Sequence, residues 1–191
     1  MKGSPRNAGK QVEQYLEKIA SQQESFTIKS YNGDMVEIGK GVENIYTPGD
    51  STKCKFDIRI GDYRLQVKSG TGNSATVLSA SLDNLINCGR RELFDTEPIA
   101  EAYAMLQNGK KVKLSDNFEQ SEWSDILTYF LFEGTSKSQE IPALQANYLL
   151  YWGKVEQVLC NKMEAIDFLW NKLYMERRYK SGKEIIAVRI A

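Results

Sequence analysis

Histidine is absent from all 191 residues. Without an imidazole the chain has no Ser-His-Asp triad, no Cys-His protease pair, no histidine ligand for zinc and no histidine general base. Cys54, Cys88 and Cys160 are odd in number, far apart and without a CxxC pair, which argues against both a zinc ribbon and a disulfide framework. Net charge is missing too: 25 Lys and Arg balance 25 Asp and Glu, so no global field attracts a polyanion, although a locally basic cleft is compatible with the balance. No apolar run approaches membrane-spanning length and no signal-peptide pattern opens the chain, so a cytoplasmic protein with no membrane partner is expected. Any catalysis must use carboxylates, amines, hydroxyls, cysteines or bound metal.

What is present is concentrated between Lys53 and Gly70. Phe56, Ile58 and Ile60, then Tyr63, Leu65 and Val67, fall at every second position, the period of strands with one buried face. Gly61-Asp62 between them suits a two-residue hairpin loop, since Gly supplies the positive φ of a type II′ turn. That loop predicts a register in which Ile60 faces Tyr63, Arg59 faces Arg64, Ile58 faces Leu65 and Asp57 falls opposite Gln66. Lys68 lies on the same polar face, with Lys55 opposite it. An acid, a carboxamide and an amine thus converge. The face is either solvated, with Asp57 and Lys68 in an ordinary cross-strand salt bridge, or a site.

The rest of the chain reads as helices mixed with strands in one domain spanning 1–191. From Asn7 onward, Val12, Tyr15, Leu16 and Ile19 mark an amphipathic helix on which Glu13 and Glu17 lie one turn apart, as a solvated flank or as acids leaning toward a site. Phe26 to Tyr31 and Met35 to Ile38 read as a hairpin around Asn32-Gly33-Asp34. Thr76 to Leu78 reads as a strand, and a helix carrying Leu82, Leu85 and Ile86 is expected to end at Gly89. Asp95 to Pro98 starts another helix. Ser121 is expected to cap a helix that carries Trp123 to Leu131 and ends near Gly134. Asn147 to Trp152 reads as strand, Asn161 to Tyr179 as the last helix, and Ile186, Val188 and Ile190 as a closing strand after a Ser181-Gly182 turn. Together these suit a mixed sheet covered by helices. Basic residues that suit phosphate contacts are Lys55, Arg90, Arg91, Lys110, Lys111, Lys113, Lys137, Arg177 and Arg178, with surface solubility as the plainer role.

Asp57, eight intervening residues and then Gln66-Val67-Lys68 resembles the motif of the PD-(D/E)XK nuclease superfamily, type II restriction endonucleases in particular. Gln66 stands where the family has its second acid, as in some restriction enzymes, and Phe56 where it has a proline. The helix with Gly9-Lys-Gln-Val-Glu13 is similar to the family's N-terminal helix, which often supplies a further acid. The resemblance implies an α/β fold, a restriction-endonuclease-like mixed central β-sheet flanked by helices. About 7–90 would be the catalytic core and about 90–191 a helical, target-reading part. It implies Mg²⁺-dependent cleavage of double-stranded DNA at a short specific sequence. Asp57, Gln66, Lys68 and Glu13 would be catalytic, and Asp57, Gln66 and the Val67 carbonyl would hold the metal. A homodimer and a companion DNA methyltransferase are also implied. The alternatives are a structure-specific repair or recombination nuclease, or a catalytically decayed DNA-binding protein on the same fold.

Overall fold

The computed structural model describes residues 8–22, 24–39, 45–48, 54–69, 75–81, 91–109, 111–134 and 141–191. The expected helix after Ser81, along with Arg90, Lys110 and Lys137, lies outside them. The elements run α1 (Ala8–Ser21), β1 (Phe26–Ser30), β2 (Met35–Ile38), β3 (Ile45–Tyr46), β4 (Ile58–Ile60), β5 (Tyr63–Ser69) and β6 (Ala75–Ala80). Then follow α2 (Glu97–Gln107), β7 (Val112–Lys113), α3 (Gln120–Thr128), β8 (Tyr148–Trp152), β9 (Gln157–Asn161), α4 (Lys162–Trp170), β10 (Leu173–Lys180) and β11 (Lys183–Ile190). No helix among the described residues is long and apolar enough to cross a membrane.

The strands form two sheets, one of seven in the order β2-β1-β9-β8-β5-β4-β3 and one of four in the order β6-β11-β10-β7. The larger sheet is mixed, because β5 runs parallel to β8 and β1 parallel to β9 while their other neighbours are antiparallel. Both of its faces are covered. Val12, Leu16 and Ala20 of α1 pack on Ile58, Ile60, Leu65, Val67 and Leu150 on one face. On the other, Leu149, Tyr151, Val158 and Cys160 join Trp123, Ile126 and Leu127 of α3, Ile166 and Leu169 of α4, and Met175, Ile186 and Val188 of the smaller sheet. Helices plus a mixed sheet agree with the expected α/β class.

The hairpin at the centre of the sequence pattern forms with the expected register: Ile60 pairs with Tyr63, Arg59 with Arg64 and Ile58 with Leu65. Gly61 takes a φ of 57° and Asp62 does not have a positive φ, as a II′ turn requires. Phe56 departs from the pattern. The ladder begins only at Ile58, and Phe56 turns into the larger core instead of joining Ile58 and Ile60 under α1.

Three expectations about the second half change. Glu119, not Ser121, caps α3, through a capping box with Glu122 in which the Glu119 N–H donates to Glu122 Oε2 at 2.8 Å. The segment read as one helix from Asn161 to Tyr179 is a helix only as far as Trp170. Asn161 caps it, and from Leu173 the burial pattern alternates, with Leu173 and Met175 inside and Tyr174 and Glu176 partly exposed. Ser181 and Gly182, with φ of 52° and 75°, close a tight hairpin that pairs all of β10 with β11. Gln157–Asn161, of which only Asn161 was assigned from sequence, and that to the helix, is a strand between β1 and β8.

Gly61→Ala puts a Cβ on a left-handed backbone and is expected to lower the unfolding free energy by about 1–2 kcal/mol. Urea denaturation measures this, and unchanged stability would show that the turn does not need the left-handed conformation.

Candidate functional site

The geometry of the site follows from where β4 leaves β5. Asp57 still donates its backbone N–H to the Leu65 carbonyl at 2.8 Å, but Phe56 is no longer in the ladder. The N–H and C=O of Val67 point to the same side of β5 as those of Leu65, into the gap that opens. The Asp57 carboxylate fills it. Its Oδ2 accepts from the Val67 N–H at 2.6 Å and also from the Gln66 carboxamide nitrogen. Gln66 is 4 % exposed and is the buried polar side chain among the described residues, so its pairing with Asp57 meets the requirement that such a group be hydrogen-bonded. Burial pushes the Asp57 carboxyl above the ordinary carboxylate range. The charges of Lys68 and Lys55 and the hydrogen bonds from Val67 and Gln66 oppose that shift without cancelling it.

Lys68, two residues beyond Gln66, shares its face and pairs with Tyr151 of β8. Loss of hydration lowers its ammonium below the ordinary lysine range, although Asp57 and Glu13 both favour the charged form. Glu13, half-buried on α1, therefore acts on the amine from the helix side, while Glu17 points outward and is exposed. Lys55 is anchored by its N–H to the Leu144 carbonyl at 2.7 Å. Its Cε would lie 3.5 Å from a Cβ added at Gly134. Burial and the neighbouring Lys68 pull Lys55 down to about 8, against Asp57. The structure thus brings Lys55, Asp57, Gln66, Val67, Lys68 and Glu13 together, from α1 and one hairpin.

Two further side chains belong to this face and were not singled out from sequence. Arg59 and Arg64 are cross-strand partners one step nearer the turn. Arg64 Nε donates to the Gln145 carbonyl at 2.7 Å, and the Arg59 guanidinium stands 5.5 Å from the centre of the Tyr46 ring. Their opposed positions were visible in the predicted register. What they rest on came only from the fold.

The other basic candidates sit elsewhere. Lys111, Lys113 and Arg178 lie on the smaller sheet, on the face away from the core, where β10 pairs with β7 and β11. Lys111 and Arg178 are tied to Glu176 at 3.6 and 3.1 Å, and Arg189, not anticipated, reaches the same carboxylate at 2.9 Å. Lys113 pairs with Asp116. Arg177 is on the opposite face, donating to Gln107 at 2.9 Å and lying 3.8 Å from Glu184. Arg91 begins a short 3₁₀ turn, its side chain outside the described residues.

Hard oxygen donors for a cation are the Asp57 carboxylate, the Gln66 carboxamide oxygen and the Val67 carbonyl. Among the described residues no three His, Cys, Asp or Glu side chains cluster as a metal site. A small hard cation that keeps several waters is the kind that so sparse a donor set could hold. Compared with known proteins, the chain matches no family model and no curated sequence.

Gln66→Leu removes one donor from a buried carboxylate and is expected to destabilise the protein by ~1–3 kcal/mol. In a double-mutant cycle with Asp57→Asn, additive losses would show that the two side chains are not coupled. Glu176 ionises below its ordinary range: burial alone would raise it, but the Arg189 hydrogen bond and the charges of Arg178, Arg189 and Lys111 outweigh that. Its folded pKa being depressed, its contribution is complete above the ordinary 4.5 and disappears as pH falls through the lower folded value. Denaturation midpoints of the parent and Glu176→Gln should differ at pH 7 and converge in acid below that range; a constant difference would contradict the assignment.

Proposed function

We propose that the protein is a Mg²⁺-dependent endonuclease of the type II restriction class, with a restriction-endonuclease-like fold, that hydrolyses double-stranded DNA at a short specific sequence. The observation that supports this reading best is the fork between β4 and β5, where Asp57, Gln66 and Lys68 meet and Glu13 of α1 acts on Lys68.

Hydrolysis of a phosphodiester demands a nucleophile at an already anionic centre, and added charge on the non-bridging oxygens in the transition state. Asp57, the Val67 carbonyl and the Gln66 oxygen would hold Mg²⁺, which supplies charge neutralisation and a more acidic water. Gln66 now presents its nitrogen to Asp57; toward a cation its oxygen is the matching atom. Lys68, with its proton affinity reduced by desolvation, orients the attacking water, takes up its proton or stabilises the developing charge. Glu13 steadies that amine. Lys55 lies beside Lys68 in position to meet the neighbouring phosphate. An enzyme of this class would work in the cytoplasm, as a homodimer on a palindromic target, beside a methyltransferase that protects host DNA.

Unmethylated phage DNA incubated with the protein and Mg²⁺ is expected to give discrete fragments, with loss of activity by at least ~100-fold in Asp57→Ala and Lys68→Ala. Absence of cleavage with every divalent ion tried would overturn the proposal. Tight DNA binding without cleavage, unharmed by Asp57→Ala, is the outcome favoured by the closed Asp57–Gln66 pair if the motif is no longer catalytic.

A further inference from the structure

We propose that Arg59 and Arg64 are a phosphate-binding pair that holds the DNA backbone on the hairpin, one phosphate removed from the Asp57–Gln66 fork. The polymer's identity rests on the nuclease reading, whereas the anion site rests on the arginines themselves.

Arg59 faces Arg64 directly across antiparallel strands. Like charges in that position destabilise a sheet. The usual remedy is a carboxylate between them, yet among the described residues neither guanidinium is paired with one. Each is instead held from one side by a group that does not neutralise it. Arg64 uses Nε on the Gln145 carbonyl, and its backbone N–H donates to Asn147 Oδ1 at 2.7 Å. Arg59 stands by the Tyr46 ring, which is 45 % exposed on the short edge strand β3. The Nη edges remain for a ligand, and planar forks with fixed donors are suited to phosphate oxygens.

The position of the pair strengthens the case. Arg64, Gln66 and Lys68 follow one another on the same side of β5, at intervals of about 7 Å. Arg59 faces Arg64 in the ladder, Asp57 is hydrogen-bonded to Gln66, and Lys55, beyond the end of the ladder, lies close enough to Lys68 to lose proton affinity to it. This margin thus carries an arginine pair, an acid with its carboxamide, and two lysines. A backbone laid along β5 meets cations at both ends and the acid in the middle, which places a scissile phosphate at Asp57 and its neighbours on the arginines and lysines. This also answers how a chain of zero net charge attracts a polyanion: the positive charge is local to one strip.

The test is fluorescence anisotropy with labelled duplex DNA in EDTA, over a series of salt concentrations, together with Mg²⁺ cleavage assays. Arg59→Gln and Arg64→Gln are each expected to weaken binding roughly tenfold and to reduce the slope of log K against log salt by about one. Arg64→Lys, which retains charge without the fork, should fall between. If Arg64→Gln fails to fold for loss of its Gln145 bond, Arg59→Gln alone decides. Affinity and salt slope equal to the parent's in Arg59→Gln, with cleavage intact in the parent, would overturn the arginine pair and leave the nuclease reading standing. Weakened binding in the variants of a protein that never cleaves would do the reverse. Preference for duplex RNA over DNA, or no nucleic-acid binding by the parent, would also overturn it.

Discussion

One backbone N–H governs the centre of this molecule. Val67 presents it to the space that β4 vacates, and an unsatisfied donor there would cost about as much as a lost hydrogen bond. The Asp57 carboxylate takes the place of the missing strand, accepting from Val67 and from Gln66 beside it. A carboxyl group is thereby fixed at the margin of an apolar core. The same contact serves as a structural clamp and as the base of the candidate site.

Around it the larger sheet is covered on both faces, by α1 on one and by α3, α4 and the smaller sheet on the other. Polar groups on the second face are consequently desolvated even though they lie near a sheet margin. That is why Lys55 and Lys68 hold their protons less firmly than free lysines, and why Asp57 holds its proton more firmly. Arg59, Arg64, Lys55 and Lys68 lie on or beside this face, around Asp57.

Gly61-Asp62, with alternation on either side, was sufficient to set Ile58, Arg59 and Ile60 against Leu65, Arg64 and Tyr63, because a two-residue turn leaves no freedom in which residues oppose each other. The spacing of Val12 and Leu16 likewise made α1 legible and put Glu13 on its flank. The segment after Trp170 was not legible as strand: Leu173 and Trp170 fit a helical stripe as well as Leu173 and Met175 fit a strand, and the paired strand β11 decides between them. Phe56 shows the same limit. Its place in the alternation suggested the face of Ile58 and Ile60, but the ladder ends before it and the larger core takes the ring.

Local chemistry in the sequence thus determined the hairpin, its turn, its register and the amphipathic helix that precedes it, since each depends on neighbours within a few residues or across one tight turn. Tertiary structure alone decided the rest. It assigned Lys111 and Arg178 to Glu176 on a separate sheet, set Arg64 on the Gln145 carbonyl, and brought Glu13 to bear on Lys68. Those contacts join residues tens of positions apart, and which partners meet there depends on how strands and helices pack as a whole, which no local pattern encodes.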